Sequence, residues 1–164
     1  MARTDTSQAR QTLEQTIADL QASERRLREV LLSVADRQDW RPAPEEWSFR
    51  EIAAHLEASQ RECVLVRVQQ IASGGHPRFE FYRNDGRDFG SVDLWDSLRR
   101  FAGARQAVRD IAGGLSPEQQ RFTGQHQTFG ELTVERYLEI DLEHDQGHLR
   151  DLERYLLHPA DKPL

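Results

Sequence analysis

Apolar residues recur at alternating steps of three and four, or multiples of them, through four separate stretches of this chain, with little strand-like alternation between them. That spacing stacks side chains on one face of an α-helix, and such a face must be buried against another element. The first stretch runs from about Ser7 to Asp36 and puts Leu13, Ile17, Leu20, Leu27, Leu31 and Val34 on one face. Arg41, Pro42, Ala43 and Pro44 then break the pattern. The second opens on "WSFRE", where Ser48 and Glu51 have the spacing of a capping box and Trp47 holds the position of a hydrophobic staple. Its face continues through Ile52, Leu56, Cys63, Val66 and about Ile71, and Gly74-Gly75 ends it. The third spans Val92 to Ala112, with Leu94, Leu98, Phe101, Arg105, Val108 and Ala112 in register. "SPEQQ" then predicts a short helical start, with Ser116 as cap and Pro117 in the first position. The fourth begins near Thr133 and continues to about Leu157, before His158-Pro159. The pattern predicts an all-α, four-helix bundle with one long crossover.

The crossover is the connection from Gly74 to Ser91, about eighteen residues, longer than most loops of compact domains. Phe79, Phe81, Tyr82 and Phe89 are too many aromatics for a solvated tether and predict a segment packed across the bundle. "RFEFY" alternates loosely enough to allow a short strand there. Without an internal repeat or a composition break, residues 1–164 read as a single domain, large enough to bury a core unaided. The lone Cys63 excludes an intrachain disulfide, fits a reducing compartment and reads as a small core residue. No apolar run suggests a membrane span, and "MARTDTSQARQTLEQ" has no apolar core for a signal peptide, so a cytoplasmic location is expected. A net charge of -6 argues against nucleic acid as partner, because phosphate binding needs a concentrated basic surface.

The chemistry-bearing stretch is "EIDLEHDQGHLRDLERYL", where His144 and His148 lie four apart on the shoulder of the last apolar stripe. Imidazoles at that spacing share a face and can reach one ion, although water or neighbouring carboxylates satisfy such a pair equally well. His55, one residue before the core position Leu56, occupies the same kind of shoulder on the second helix. If those helices pack side by side, three imidazoles converge from facing rods, as in bundle metal sites. His76, His126 and His158 fall in loops or at a helix end and read as surface residues. Asp141, three before His144 and seven before His148, is placed to orient an imidazole. Glu51, four before His55, has the same option, in competition with its capping role. Gly147 inside the helix suggests either close approach by a loop or ligand, or a tolerated imperfection. Tyr82, Asn84 and Asp85 are crossover candidates for contact with substrate.

Trp47-Ser48 before a helix carrying His55, a long aromatic crossover, "HQTFGELT" from His126 to Thr133 and the closing "EHDQGHLRDL" together resemble the DinB-like superfamily of metalloenzymes, the DNA-damage-inducible four-helix family. The resemblance covers about Thr12 to Leu157. It implies up-down-down-up topology, with the crossover between the second and third helices. It also implies a divalent ion, nickel or zinc, held by His55, His144 and His148. Relatives include bacillithiol S-transferases and a mycothiol-dependent maleylpyruvate isomerase, so the activity implied is thiol transfer or related detoxification with a low-molecular-weight thiol. A metal-dependent hydrolase is one alternative, and a non-enzymatic metal-binding or dimer-forming stress protein is another. A small-molecule substrate is the partner, and a homodimer the assembly, that the resemblance suggests.

Overall fold

The computed structural model describes residues 5–158, with side chains from Thr12 onward. Helix α1 spans Asp5–Ser33, α2 Phe49–Ser59, α3 Leu65–Ala72, α4 Leu94–Gly113 and α5 Val134–Leu156. A π-helical turn at Gln60–Val64 joins α2 to α3, so four rods make the bundle. The helix starts are chemically fixed. Ser48 and Glu51 form the reciprocal capping box at α2. The Asp93 carboxylate accepts from Trp95 and Asp96 N–H at α4, and the Thr133 hydroxyl accepts from Arg136 N–H at α5. "SPEQQ" becomes a single 3-10 turn at Gln119–Arg121, preceded by Ser116 and Gln119 bonded to each other's backbone N–H. Pro159 lies outside the described residues.

The π turn corrects the register read for the second helix. It inserts one extra residue into a turn, which rotates everything after it about the helix axis. Val66, expected inside, is 39% exposed, and Val64 and Val68 are buried in its place, while Cys63 and Ile71 are buried as expected. Gln60, four residues after Leu56 and eight after Ile52, is buried on the same face as they are.

Two apolar clusters fill the bundle. One gathers Leu13 and Leu20 of α1, Val68 and Ile71 of α3, Val108 and Ala112 of α4, and Val134 and Leu138 of α5. The other gathers Leu27, Leu31 and Val34 with Phe49, Ile52, Leu56, Leu94, Leu98, Phe101, Leu152 and Tyr155. Read along the chain, α1 and α5 run from the first cluster to the second, and α2–α3 and α4 run the opposite way.

Between the clusters each rod contributes buried polar groups: Ser23 and Glu24, Gln60, Arg105, and Asp141 with Asp145. Arg105, fully buried, grips Asp145 through Nη1–Oδ2 at 2.9 Å and Nη2–Oδ1 at 3.0 Å. Its Nη2 also donates to Gln60 Oε1 at 2.9 Å, and the Ser23 hydroxyl donates to Asp145 Oδ2 at 2.8 Å. A charge taken from water needs such partners, because an unpaired one is too costly to bury.

A small sheet caps one side. β1, Arg78–Phe79, pairs parallel with β2, Thr123–His126, which pairs antiparallel with β3, Gly130–Thr133. β1 is all that forms of the "RFEFY" strand, and the β2–β3 hairpin leading into α5 is an addition to the all-helical expectation. These strands are too short for an alternating apolar pattern to announce them. The Phe79 ring packs directly over Gly124, where a Cβ would lie 2.6 Å from it. Phe79 and Phe89 of the connection are buried, whereas Phe81 is 49% exposed. Among the described residues, no helix is long and apolar enough to cross a membrane.

Candidate metal centre

His55 sits on the second turn of α2, and His144 and His148 lie one turn apart on α5. The structure brings all three together. His55 Nε2 and His148 Nε2 are each 3.1 Å from His144 Nε2. For comparison, nitrogens bound tetrahedrally to one ion at roughly 2.0–2.1 Å lie about 3.3 Å apart.

The protonation of His55 is decided behind the ring. Asn84 Oδ1 lies 2.5 Å from His55 Nδ1. The amide of Asn84 is oriented by its own Nδ2, which donates to Ser59 Oγ and Tyr82 Oη at 3.2 Å each. With the amide nitrogen so engaged, Oδ1 accepts from Nδ1–H and leaves the His55 Nε2 lone pair facing the other rings. Burial, and next the neighbouring His144, push His55 down to about 4. Burial, then His144 and His55, push His148 down to about 3. His144 is also lowered by burial, against the pull of Asp145. All three are therefore neutral at physiological pH. Without a cation, no choice of tautomers at His144 and His148 gives each of the two Nε2–Nε2 contacts its own proton while His55 Nε2 presents a lone pair. One divalent ion satisfies all three nitrogens, so the donor set fits the group that the resemblance implies.

Trp47 walls the site instead of merely stapling α2. Its ring centroid is 4.4 Å from His55 and 6.5 Å from His148. Glu51 is engaged in the capping box and with Arg41 at 2.9 Å, and does not reach an imidazole. Asp141, expected to orient a ring, faces Arg105 at 3.4 Å, while one of its oxygens lies within 4.8 Å of a His144 ring nitrogen. Burial raises the Asp141 carboxyl, opposed by Arg105 and reinforced by Asp145. The group that does hold a ring from behind is Asn84, legible in the sequence only as one crossover residue among several.

A cavity of about 530 Å³ opens beside the histidines, lined by His55, His144, Asp141, Ser59, Cys63 and Tyr137 and by the connection residues Tyr82, Asn84 and Asp85. Its walls are largely apolar, from Val64, Phe81, Phe129 and Ile140. Cys63 is buried, 3.3 Å from Tyr137 Oη, and burial pushes its thiol up. His126, expected at the surface, is instead buried in β2 and lines this cavity. The hairpin that the sequence concealed is what carries it inward. His76 is exposed and adopts a positive φ of 50°, with Nδ1 3.0 Å from Thr123 Oγ1, and His158 is exposed at the end of α5. Among the described residues, a Cβ on Gly147 would meet only Arg150 Nη2 at 3.8 Å, so no loop approaches it closely.

The model of the DinB superfamily matches residues 5–152. The chain belongs to the DinB superfamily. Among solved structures it is similar to YfiT from Bacillus subtilis, described as "a probable metal-dependent hydrolase with an unusual four-helix bundle topology". That likeness has a TM-score of 0.66 at 18% identity and covers 95% of this chain and 90% of YfiT, which supports a common DinB fold. No curated protein matches the sequence.

Proposed function

We propose that this DinB-superfamily chain is a metal-dependent enzyme of small-molecule metabolism in the cytoplasm. In this reading His55, His144 and His148 hold one divalent ion, nickel or zinc, and residues 1–164 act as one domain. The observation that carries it is the convergence of three neutral imidazole nitrogens at the edge of a largely apolar cavity. Three ligands leave an ion with an open position, the arrangement of catalytic rather than structural sites. When bound, the ion supplies positive charge that polarises a carbonyl and acidifies a thiol or water.

The protein's own groups divide the remaining work. Asn84 keeps the His55 Nε2 lone pair turned toward the other two rings. Trp47 and Phe89 close the apolar side and keep solvent from the imidazoles. Asp141, whose carboxyl is raised by burial, holds or releases a proton at the histidine end of the cavity. Cys63 is buried as the thiol and bonded to Tyr137, so it is unsuited to be the attacking group. The nucleophile is then brought from outside, and a low-molecular-weight thiol is the leading choice. Water as nucleophile is the second reading, favoured by the description of YfiT.

The test is turnover by metal-loaded protein on two panels, thiols with electrophiles and esters with amides, for wild type and His148→Ala. Thiol consumption abolished by His148→Ala, with helical content unchanged, supports transfer. Ester or amide cleavage without thiol supports the hydrolase. No turnover in either panel despite stoichiometric metal makes the chain a metal binder without catalysis.

A further inference from the structure

The cavity has a second polar cluster besides the histidine centre, and none of its groups is used above. His126, 3% exposed, lies on β2 and lines the cavity wall. Its Nδ1 accepts from the backbone N–H of Thr128 at 3.0 Å and of Phe129 at 3.2 Å. A nitrogen that accepts two N–H groups carries no proton, so the neutral ring is protonated at Nε2. Burial and the positive charge of Arg67 both lower this imidazole's proton affinity, which keeps it in that neutral form. Among the described residues, no acceptor is bonded to Nε2–H.

Arg67, half-buried on α3, lines the same cavity. Its Nη1 donates to Tyr137 Oη at 3.1 Å and its Nη2 to Glu80 O at 2.6 Å, and its guanidinium lies 5.1 Å above the Phe79 ring. These contacts fix the guanidinium but do not neutralise it, and two of its five N–H groups are spent. Among the described residues no carboxylate pairs with it. The carboxylates around the cavity are committed or peripheral. Asp141 faces Arg105 at 3.4 Å, Glu143 is 65% exposed beside Arg136, and Asp85 is 62% exposed beside Arg83.

We propose that Arg67 and His126 form an anion subsite that binds the carboxylate of an acidic, otherwise apolar small molecule. The cation supplies charge and planar donors, and Nε2–H of His126, in the lining of the same cavity, supplies a fixed neutral donor. Phe81, Phe129 and Ile140 give the ligand's body an apolar wall, and about 530 Å³ is room for a molecule of drug-like size. That the bound acid is a substrate rests on the catalytic reading above, whereas the anion subsite itself needs no metal.

The experiment is calorimetric titration with 3-phenylpropanoate, 4-phenylbutanoate and octanoate, each against its neutral amide. Wild type, Arg67→Met and His126→Asn are titrated, metal-loaded and after chelation. Asparagine keeps an acceptor for the two hairpin N–H groups while removing Nε2–H, and Arg67→Lys restores charge without the planar fork. The proposal expects selectivity for at least one acid over its amide in metal-free wild type. It expects that acid to weaken by about tenfold or more in Arg67→Met, less in His126→Asn, with partial recovery in Arg67→Lys. Absence of acid-selective binding, or affinity indifferent to Arg67, overturns it. Acid binding that vanishes on chelation and in His148→Ala, yet survives Arg67→Met, also overturns it while leaving the metal centre intact. Arg67-dependent binding by a protein that takes up no metal sustains the subsite and removes the metal reading instead.

Discussion

Asn84 Oδ1 stands 2.5 Å from His55 Nδ1, tying the long connection to the ring that α2 contributes. Through that bond a loop residue sets which face of the imidazole carries its lone pair. Replacing Asn84 by Leu is expected to weaken zinc or nickel binding by about 10–100-fold, the usual loss when the group behind a ligating histidine is removed. Asn84→Asp keeps an acceptor and is expected to retain most of the affinity. Competition with a chromogenic chelator measures both.

The metal-free protein is expected to lose stability from pH 6.5 downward. In the unfolded chain each imidazole takes its proton near 6.5, but the fold holds His55 to about 4 and His148 to about 3. Between those limits the unfolded state binds more protons, so stability rises with pH. The contribution is complete above pH 6.5 and drains as pH falls through the folded values. Urea midpoints of chelated protein at a series of pH values check this, with His148→Leu expected to show a shallower decline. Equal slopes would contradict the burial of His148 as a neutral ring.

Arg105 and Asp145 are each fully buried, and Gln60, Ser23 and Asp141 complete their environment. Arg105→Met strands buried carboxylate and is expected to cost about 3–5 kcal/mol in urea denaturation. Combining it with Asp145→Leu is expected to cost less than the sum of the single changes, because each single variant leaves the other group unpaired.

Two glycines are expected to move stability in opposite directions. Gly147→Ala puts a Cβ into ordinary contact with Arg150 alone, and is expected to raise stability by up to about 1 kcal/mol through helix propensity. Gly124→Ala forces a Cβ to within 2.6 Å of the Phe79 ring and is expected to lower the thermal midpoint.

The rods were legible because each buries one long face, and period, caps and breakers agree over many residues. Ser48 with Glu51, Gly74-Gly75 and the Arg105 register all appear in the fold as the spacing suggests. What the pattern missed depends on contacts distant in sequence. The π turn at Gln60–Val64 leaves no local signature, yet it moves Val66 out and brings Val64 and Val68 in. The Asp145 partner of Arg105 lies forty residues away, and β2 is a four-residue strand, so neither the ion pair nor the burial of His126 follows from periodicity. Asn84 sat in a stretch whose composition names many polar candidates and favours none.

The most direct test of the account is metal content after metal-replete expression, for wild type and for His55→Ala, His144→Ala and His148→Ala. The account predicts close to one nickel or zinc per wild-type chain, with each variant folded and depleted. Wild type free of metal under those conditions, or three variants that retain it in full, would contradict a shared three-histidine centre.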